Sequence, residues 1–378
     1  MNNKIFSGIV LFLIFFLLFP ICELIFFEKI TIALSYFVAS QIMAICISFF
    51  MCYKFGFFKI TNYKSVSFFL DEKHVSKFTF YLGLLFFIFF LKFYLSNVNS
   101  VGDVLLFAER YRNGYYKGSG IYTAGMIQFL PLVVTMLIIK LRKLNLYFFM
   151  CLALLFLTSL LLGLRIFLLI VLFFLSIRIL SSEKRLAALV SLLLLGMFFI
   201  FYKLMLSDGL SNQSLTDVLL HIAGRIRYRF LVYDSGFSYG FIDFIGFALP
   251  IFPFSDTLAE WKEFFTLSIP DIDNNMPQIS KFSGMAFPLT IIVFNVFGLL
   301  GFVFIIPFVI LFVWSLKRCF ESNSIVLSIW ALYLVNFSLS ILIEDVYQFT
   351  KIPLMLVLIF TVMLFFTFSQ KINLGGNK

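Results

Sequence analysis

Apolar stretches recur along this chain, separated by short polar connections. About 20 such residues are needed for a helix to cross the hydrocarbon core of a bilayer. Ten stretches meet or approach that length: 5–27, 31–53, 78–96, 121–139, 145–163, 165–181, 186–206, 286–314, 325–343 and 350–368. The fifth and sixth run together, broken only by Gly163-Leu164-Arg165, which predicts a tight helical hairpin with Arg165 at its tip. The first stretch follows Lys4 and is not succeeded by a small-x-small cleavage site, so it reads as an uncleaved span. The pattern predicts an all-α, polytopic integral membrane protein of about ten transmembrane helices, with residues 1–378 forming a single membrane domain.

The basic residues orient these spans. With ten spans, Lys4, then Lys54, Lys59, Lys64, Lys73 and Lys77, then Lys140, Arg142 and Lys143, then Lys184 and Arg185, then Lys317 and Arg318, then Lys371 and Lys378 all fall on one side. By the positive-inside rule that side is the cytoplasm, and both termini lie there. A miscounted span would scramble the agreement. The opposite, outer side carries two loops of size, 97–120 and 207–285, the second too long for a simple connector.

Composition supports the class: 62% of residues are hydrophobic and 13% charged, against about 25% charged in soluble domains. The net charge of +10 fits basic cytoplasmic loops and does not call for nucleic acid. The five cysteines lie in or beside apolar spans, so no disulfide framework is indicated. No Cys/His group has zinc spacing. Asp271-Ile-Asp273-Asn274-Asn275 opens like a calcium loop but has Met276 and Phe282 where glycine and glutamate are required, and reads as a solvated loop.

Arginine departs from the basic pattern. Six of the ten arginines fall on the outer side, three of them in segment 214–234. There Val218, Ile222, Ile226 and Phe230 recur every four residues, as do Asp217, His221, Arg225 and Arg229, while Arg227 points elsewhere. Such spacing puts each set on one face of a helix. The result is an amphipathic helix at the outer interface with one apolar and one ionisable stripe. Arginine's planar fork suits phosphate, so the stripe could hold a diphosphate; the alternative is an interfacial helix whose arginines meet lipid headgroups. Arg165, between two spans, faces either a ligand or the headgroups. The 97–120 loop offers Arg110, Arg112, Tyr115 and Tyr116, a stacking and phosphate-binding set for a sugar phosphate or an aromatic belt. Glu344 and Asp345 form the outer turn between the last two spans, a general base or a solvated turn.

Together these features resemble the bacterial polysaccharide repeat-unit polymerases, the O-antigen and capsule polymerase (Wzy) family. The likeness covers most of the chain: span number, cytoplasmic termini, and a dominant outer loop in the second half. Gly163-Leu164-Arg165 looks like the Gly-x-Arg that opens a span in these polymerases and the related ligases. Arg225 with Gly236, and Arg229 with Gly240, match an Arg-to-Gly spacing in the outer loops of some members; the first loop departs, with Gly120 one position short of the spacing from Arg110. Asn295-Val-Phe-Gly298-Leu-Leu-Gly301 resembles the Asn-x-x-Gly-x-x-Gly of the span after the large loop.

The resemblance implies a membrane glycosyltransferase that uses a polyprenyl-diphosphate-linked donor, with no nucleotide sugar, metal or other cofactor. Arg165, Arg225 and Arg229 would hold the diphosphate. His221, Glu344 and Asp345 are the candidates for the base, and Arg110, Arg112, Tyr115, Tyr116 and Arg227 would bind substrate. The expected location is the bacterial cytoplasmic membrane. Expected partners are lipid-linked oligosaccharides, membrane lipids, and a chain-length regulator and flippase of the same pathway; no nucleic acid is expected. Two other readings stand beside it: an O-antigen ligase, disfavoured because the one outer histidine, His221, comes early in the large loop, and a flippase or transporter of lipid-linked oligosaccharide, for which Glu23, Lys92 and Lys203 are the intramembrane charges.

Overall fold

In hydrocarbon each backbone N–H and C=O must find its partner within the protein, which leaves helices as the solution for long apolar segments. The computed structural model describes residues 3–26, 32–58, 72–98, 126, 129–141, 144–162, 166–181, 289–322, 324–344 and 359–366. Every regular element among the described residues is helical. In chain order these are α1 (Asn3–Phe26), α2 (Ile32–Lys54), α3 (Glu72–Ser96), α4 (Leu130–Lys140), α5 (Leu146–Leu162), α6 (Ile166–Leu180), α7 (Leu289–Phe297), a 3-10 turn (Gly298–Gly301), α8 (Phe302–Glu321), α9 (Ile325–Leu339) and a π turn (Ser340–Glu344), followed by helical residues 359–366. Among the described residues three helices are long and apolar enough to cross a membrane: Ser35–Lys54, Lys73–Ser96 and Gly298–Glu321.

Local chemistry sets the helix ends. Asn145 accepts from Phe148 N at 3.0 Å and Ser324 from Leu327 N at 3.4 Å, so α5 and α9 each begin on a side-chain cap. Pro131 occupies the first turn of α4, where its missing N–H costs nothing. α2 ends in a Schellman motif: Phe57 N donates to Cys52 O at 2.9 Å and Gly56 N to Tyr53 O at 3.0 Å. Gly56 takes φ 70°, open to glycine without strain. Inside the helices, Thr79, Thr135, Thr158 and Ser176 donate to the carbonyl four residues back at 2.6–2.8 Å, which satisfies each hydroxyl without a partner helix.

α4 lies at the centre, buried at every residue from Leu130 to Ile139, as an element apolar on all sides should be. It packs on α6, which also packs on α1; α8 packs on α2 and α9; and α3 packs on α5. α5 and α6, expected as a tight hairpin, touch one another only slightly, each facing other helices instead. Phenylalanine fills the seams: Phe12 stacks on Phe312 with centroids 4.4 Å apart, and Phe173 meets Phe312 at 6.2 Å. Small residues admit close approach. A Cβ at Gly8 would lie 2.6 Å from Leu316 Cδ2 and 3.0 Å from Ile177 Cδ1. By contrast α3 leaves Phe78, Tyr81, Leu85, Ile88 and Leu95 exposed along one side, the face a bilayer would cover.

The described helices differ from the sequence expectation in two further places. Stretch 286–314, expected as one span, is two pieces. Gly298 at φ 56° reverses the local backbone, and the helix that is long enough to cross runs on to Glu321. α3 also starts earlier than expected, at Glu72. Span 186–206 lies outside the described residues.

The end of α1 that carries Lys4 and the C-terminal ends of α4, α6 and α8 come together. Lys140 Nζ donates to Cys319 O at 3.2 Å and Ser322 O at 2.8 Å, and Arg178 Nη1 donates to Ile138 O at 2.7 Å and Leu141 O at 2.8 Å. Lys4 Nζ sits 5.7 Å from the Phe320 ring centroid. Terminal carbonyls have no intrahelical partner and carry the negative end of the helix dipole, so cations are the natural caps for α4 and α8. Burial, with Lys4 as a neighbouring cation, lowers Lys140 to about 8.

Gly8 tests this packing. The atoms facing it are the far ends of flexible side chains, so Gly8→Ala should change stability by less than about 1 kcal/mol. Gly8→Leu should overpack the α1–α6–α8 seam and cost roughly 1–3 kcal/mol, read as a lowered unfolding midpoint in detergent.

Candidate functional site

Two described features meet at the end of the bundle opposite the lysine-rich caps. The first is the break between α7 and α8. Gly298 has no atom within 4 Å of the position a Cβ would take, so its left-handed φ alone calls for glycine. Gly301 is different: a Cβ there would lie 2.7 Å from Val293 O and 2.8 Å from Val293 C. These are backbone atoms and cannot swing aside. The turn therefore folds α7 back against the start of α8, and Phe297 stacks on Phe304 across it at 4.4 Å. The second and third positions of the Asn-x-x-Gly-x-x-Gly pattern thus have separate physical jobs, one conformational and one steric.

The second feature is the π turn Ser340–Glu344 that ends α9. A π turn adds a residue to the helical turn and is frequent at functional sites. Here it brings the backbone of Glu344 to the end of α9 beside α7. Thr290 Oγ1, on α7, donates to Leu342 O at 3.4 Å. The start of α7 is thus docked beside the turn that ends in Glu344.

α2 supplies the floor. Phe37 meets Phe294 edge-on at 5.2 Å and Ser48 Oγ lies 3.5 Å from Ile306 O. These two contacts set α2 parallel to the α7–α8 chain and put Ser40 and Gln41 level with the glycine turn. Ser40 Oγ and Gln41 Oε1 are buried and, among the described residues, find no hydrogen-bond partner. Buried polar groups of this kind are costly in apolar surroundings.

Of the predicted site residues, the structure describes only the backbone of Glu344. Arg110, Arg112, Tyr115, Tyr116, Arg165, His221, Arg225, Arg227, Arg229 and Asp345 lie outside the described residues, as do both outer loops and segment 214–234. Glu23 lies on α1 and Lys92 is exposed near the end of α3. The sequence reading did not single out Thr290, Ser40 or Gln41. A lone hydroxyl or amide in an apolar run gives no signal of what it faces. No group of three or more His, Cys, Asp or Glu that could hold a metal occurs among the described residues. Comparison with protein-family models, with curated proteins and with solved structures finds no match for this chain.

The two glycines should respond differently to substitution. Gly298→Asn, which tolerates the left-handed region, should fold nearly as well as wild type. Gly298→Val should cost more than the roughly 1–2 kcal/mol of an ordinary left-handed residue. Gly301→Ala should disrupt the α7–α8 turn despite being the smallest change available. Cysteine crosslinking between α7 and α9 in membranes would read this out, retained in Gly298→Asn and lost in Gly301→Ala.

Proposed function

We propose that this protein polymerises oligosaccharide repeat units at the outer face of the bacterial cytoplasmic membrane. The donor is a growing glycan on polyprenyl diphosphate, and the acceptor is a single lipid-linked repeat unit. A hydroxyl of the acceptor attacks the donor's anomeric carbon. The bond from that carbon to the diphosphate oxygen breaks, polyprenyl diphosphate leaves with the electron pair, and the hydroxyl proton passes to a base. Negative charge grows on the leaving diphosphate in the transition state. Donors already in place where charge develops supply the largest share of catalysis in many enzymes.

The observation that carries this reading is the division of labour between the cations. At the lysine-rich end, Lys140 and Arg178 are used on helix carbonyls, so they have a structural purpose. In the ten-span reading six of the ten arginines fall on the other side, against the positive-inside pattern. In the proposal Arg165, Arg225 and Arg229 hold the diphosphate, Arg227 and the Arg110, Arg112, Tyr115, Tyr116 loop hold the glycan, and the base is His221, Glu344 or Asp345.

One observation bears on the transporter reading. Discontinuous helices mark binding sites in transporters, where they sit near the midplane. The break at Gly298–Gly301 instead caps a helix of 20 residues, Phe302–Glu321, long enough to cross without the pieces above it. A break at the end of a span favours chemistry at the interface over passage through it.

The test is complementation of a strain lacking the gene, with surface glycan resolved by gel. Wild type should restore a ladder. Arg165→Ala, Arg225→Ala and Arg229→Lys, at matched membrane levels, should each leave chiefly a single repeat unit on its acceptor lipid, a loss of roughly a hundredfold or more in polymer. A normal ladder in all three refutes the diphosphate role. Full-length polymer stranded on polyprenyl diphosphate in the deletion strain would identify a ligase instead.

A further inference from the structure

Lys92 has no task inside the fold. It is exposed on α3, within a helix long and apolar enough to cross a membrane. Phe78, Tyr81, Leu85, Ile88 and Leu95 form the bare side of that helix. Lys92 follows Ile88 by four residues and precedes Leu95 by three, so it lies within the same stripe. The opposite side is fixed by packing: Thr79, Phe90 and Tyr94 are buried, and a Cβ at Gly83 would lie 3.1 Å from Leu130 Cδ2. α3 therefore cannot turn to bring Lys92 into the bundle. Among the described residues no hydrogen bond, ion pair or aromatic ring engages its ammonium. Capping is not its role either. Ser96 Oγ and Asn97 Nδ2 donate to Phe93 O at 2.8 and 2.7 Å, and Asn97 N to Tyr94 O at 3.0 Å, so neutral groups already close this end of the helix.

Helix length determines what meets this charge. Lys77, over the Tyr81 ring at 5.9 Å, borders the same stripe near the start of α3. Fifteen residues separate the two lysines, a rise of about 22 Å against the roughly 30 Å of a hydrocarbon core. Cα–Cβ bonds tilt toward the helix N-terminus. Lys77 thus leaves the helix toward its own interface and snorkels readily. Lys92 leaves toward the bilayer middle, so the deficit in length falls on its leaflet. A short apolar stripe is met by thinning of the bilayer. The charge rules out an apolar helix as the cover of this face, and phospholipid phosphate is the anion within reach of a lipid-facing ammonium. We propose that Lys92 binds the phosphate of a membrane phospholipid, drawn inward in the leaflet around the C-terminal end of α3, with its acyl chain along Ile88 and Leu85. The bilayer is thinned beside this face of the protein.

Leucine suits a lipid-facing position, so Lys92→Leu removes the charge and keeps the fold. The full chain would be reconstituted in phosphatidylcholine vesicles of graded acyl-chain length, and its thermal unfolding followed. Wild type and Lys92→Arg should be most stable in thin bilayers. Lys92→Leu frees the stripe up to the end of α3, so its optimum should lie in a bilayer thicker by up to about 8 Å. Lys54→Leu should keep the wild-type optimum, because α2 already has 23 residues with which to cross. In thin phosphatidylcholine wild type should unfold at a higher temperature than Lys92→Leu. That order should disappear in digalactosyl diacylglycerol with the same chains, a bilayer lipid without phosphate. A common optimum for wild type and Lys92→Leu would overturn the site. An unchanged order in the galactolipid would overturn the phosphate assignment.

Discussion

A bilayer offers no hydrogen bonds in its interior and makes charge expensive there. Nearly every described feature answers that constraint. Thr79, Thr135 and Thr158 turn their hydroxyls onto their own helices. Asn145 and Ser324 cap the N-terminal ends, and Lys140 and Arg178 the C-terminal ends of α8 and α4. The cations at the helix ends serve the backbone, and in doing so they bind together elements far apart in sequence.

The same constraint explains what could be read from sequence. Helices α1, α2, α5 and α6, and α9 together with its π turn, lie within a residue or two of the predicted stretches, because apolar length is a strong signal. The basic residues at helix ends were visible as a topological code, but their acceptors were not: nothing local links Lys140 to the carbonyls of Cys319 and Ser322, far along the chain. The glycine turn was hidden for another reason. Gly298 and Gly301 stood out as a motif, yet glycine in an apolar run is compatible with a straight helix or a left-handed turn, and the contact between Gly301 and Val293 that decides it is tertiary. The π turn before Glu344 leaves no periodic trace over its five residues. The arginine row of 214–234 was legible as an amphipathic pattern and lies outside the described residues.

The two ends of the bundle use their polar groups differently. One end of the bundle uses its cations on helix carbonyls. The other combines a steric glycine turn, a π turn ending in Glu344, and buried Ser40 and Gln41. In the proposed polymerase this division lets inner charge fix the scaffold while outer charge meets the leaving diphosphate.

The most direct measurement is reconstitution of the purified chain in vesicles with a polyprenyl-diphosphate-linked repeat unit as the sole substrate, with chelator present and no nucleotide sugar. The account predicts lipid-linked oligomers of increasing length and stoichiometric release of polyprenyl diphosphate. Unchanged repeat units, or units merely moved to the other leaflet, would contradict it.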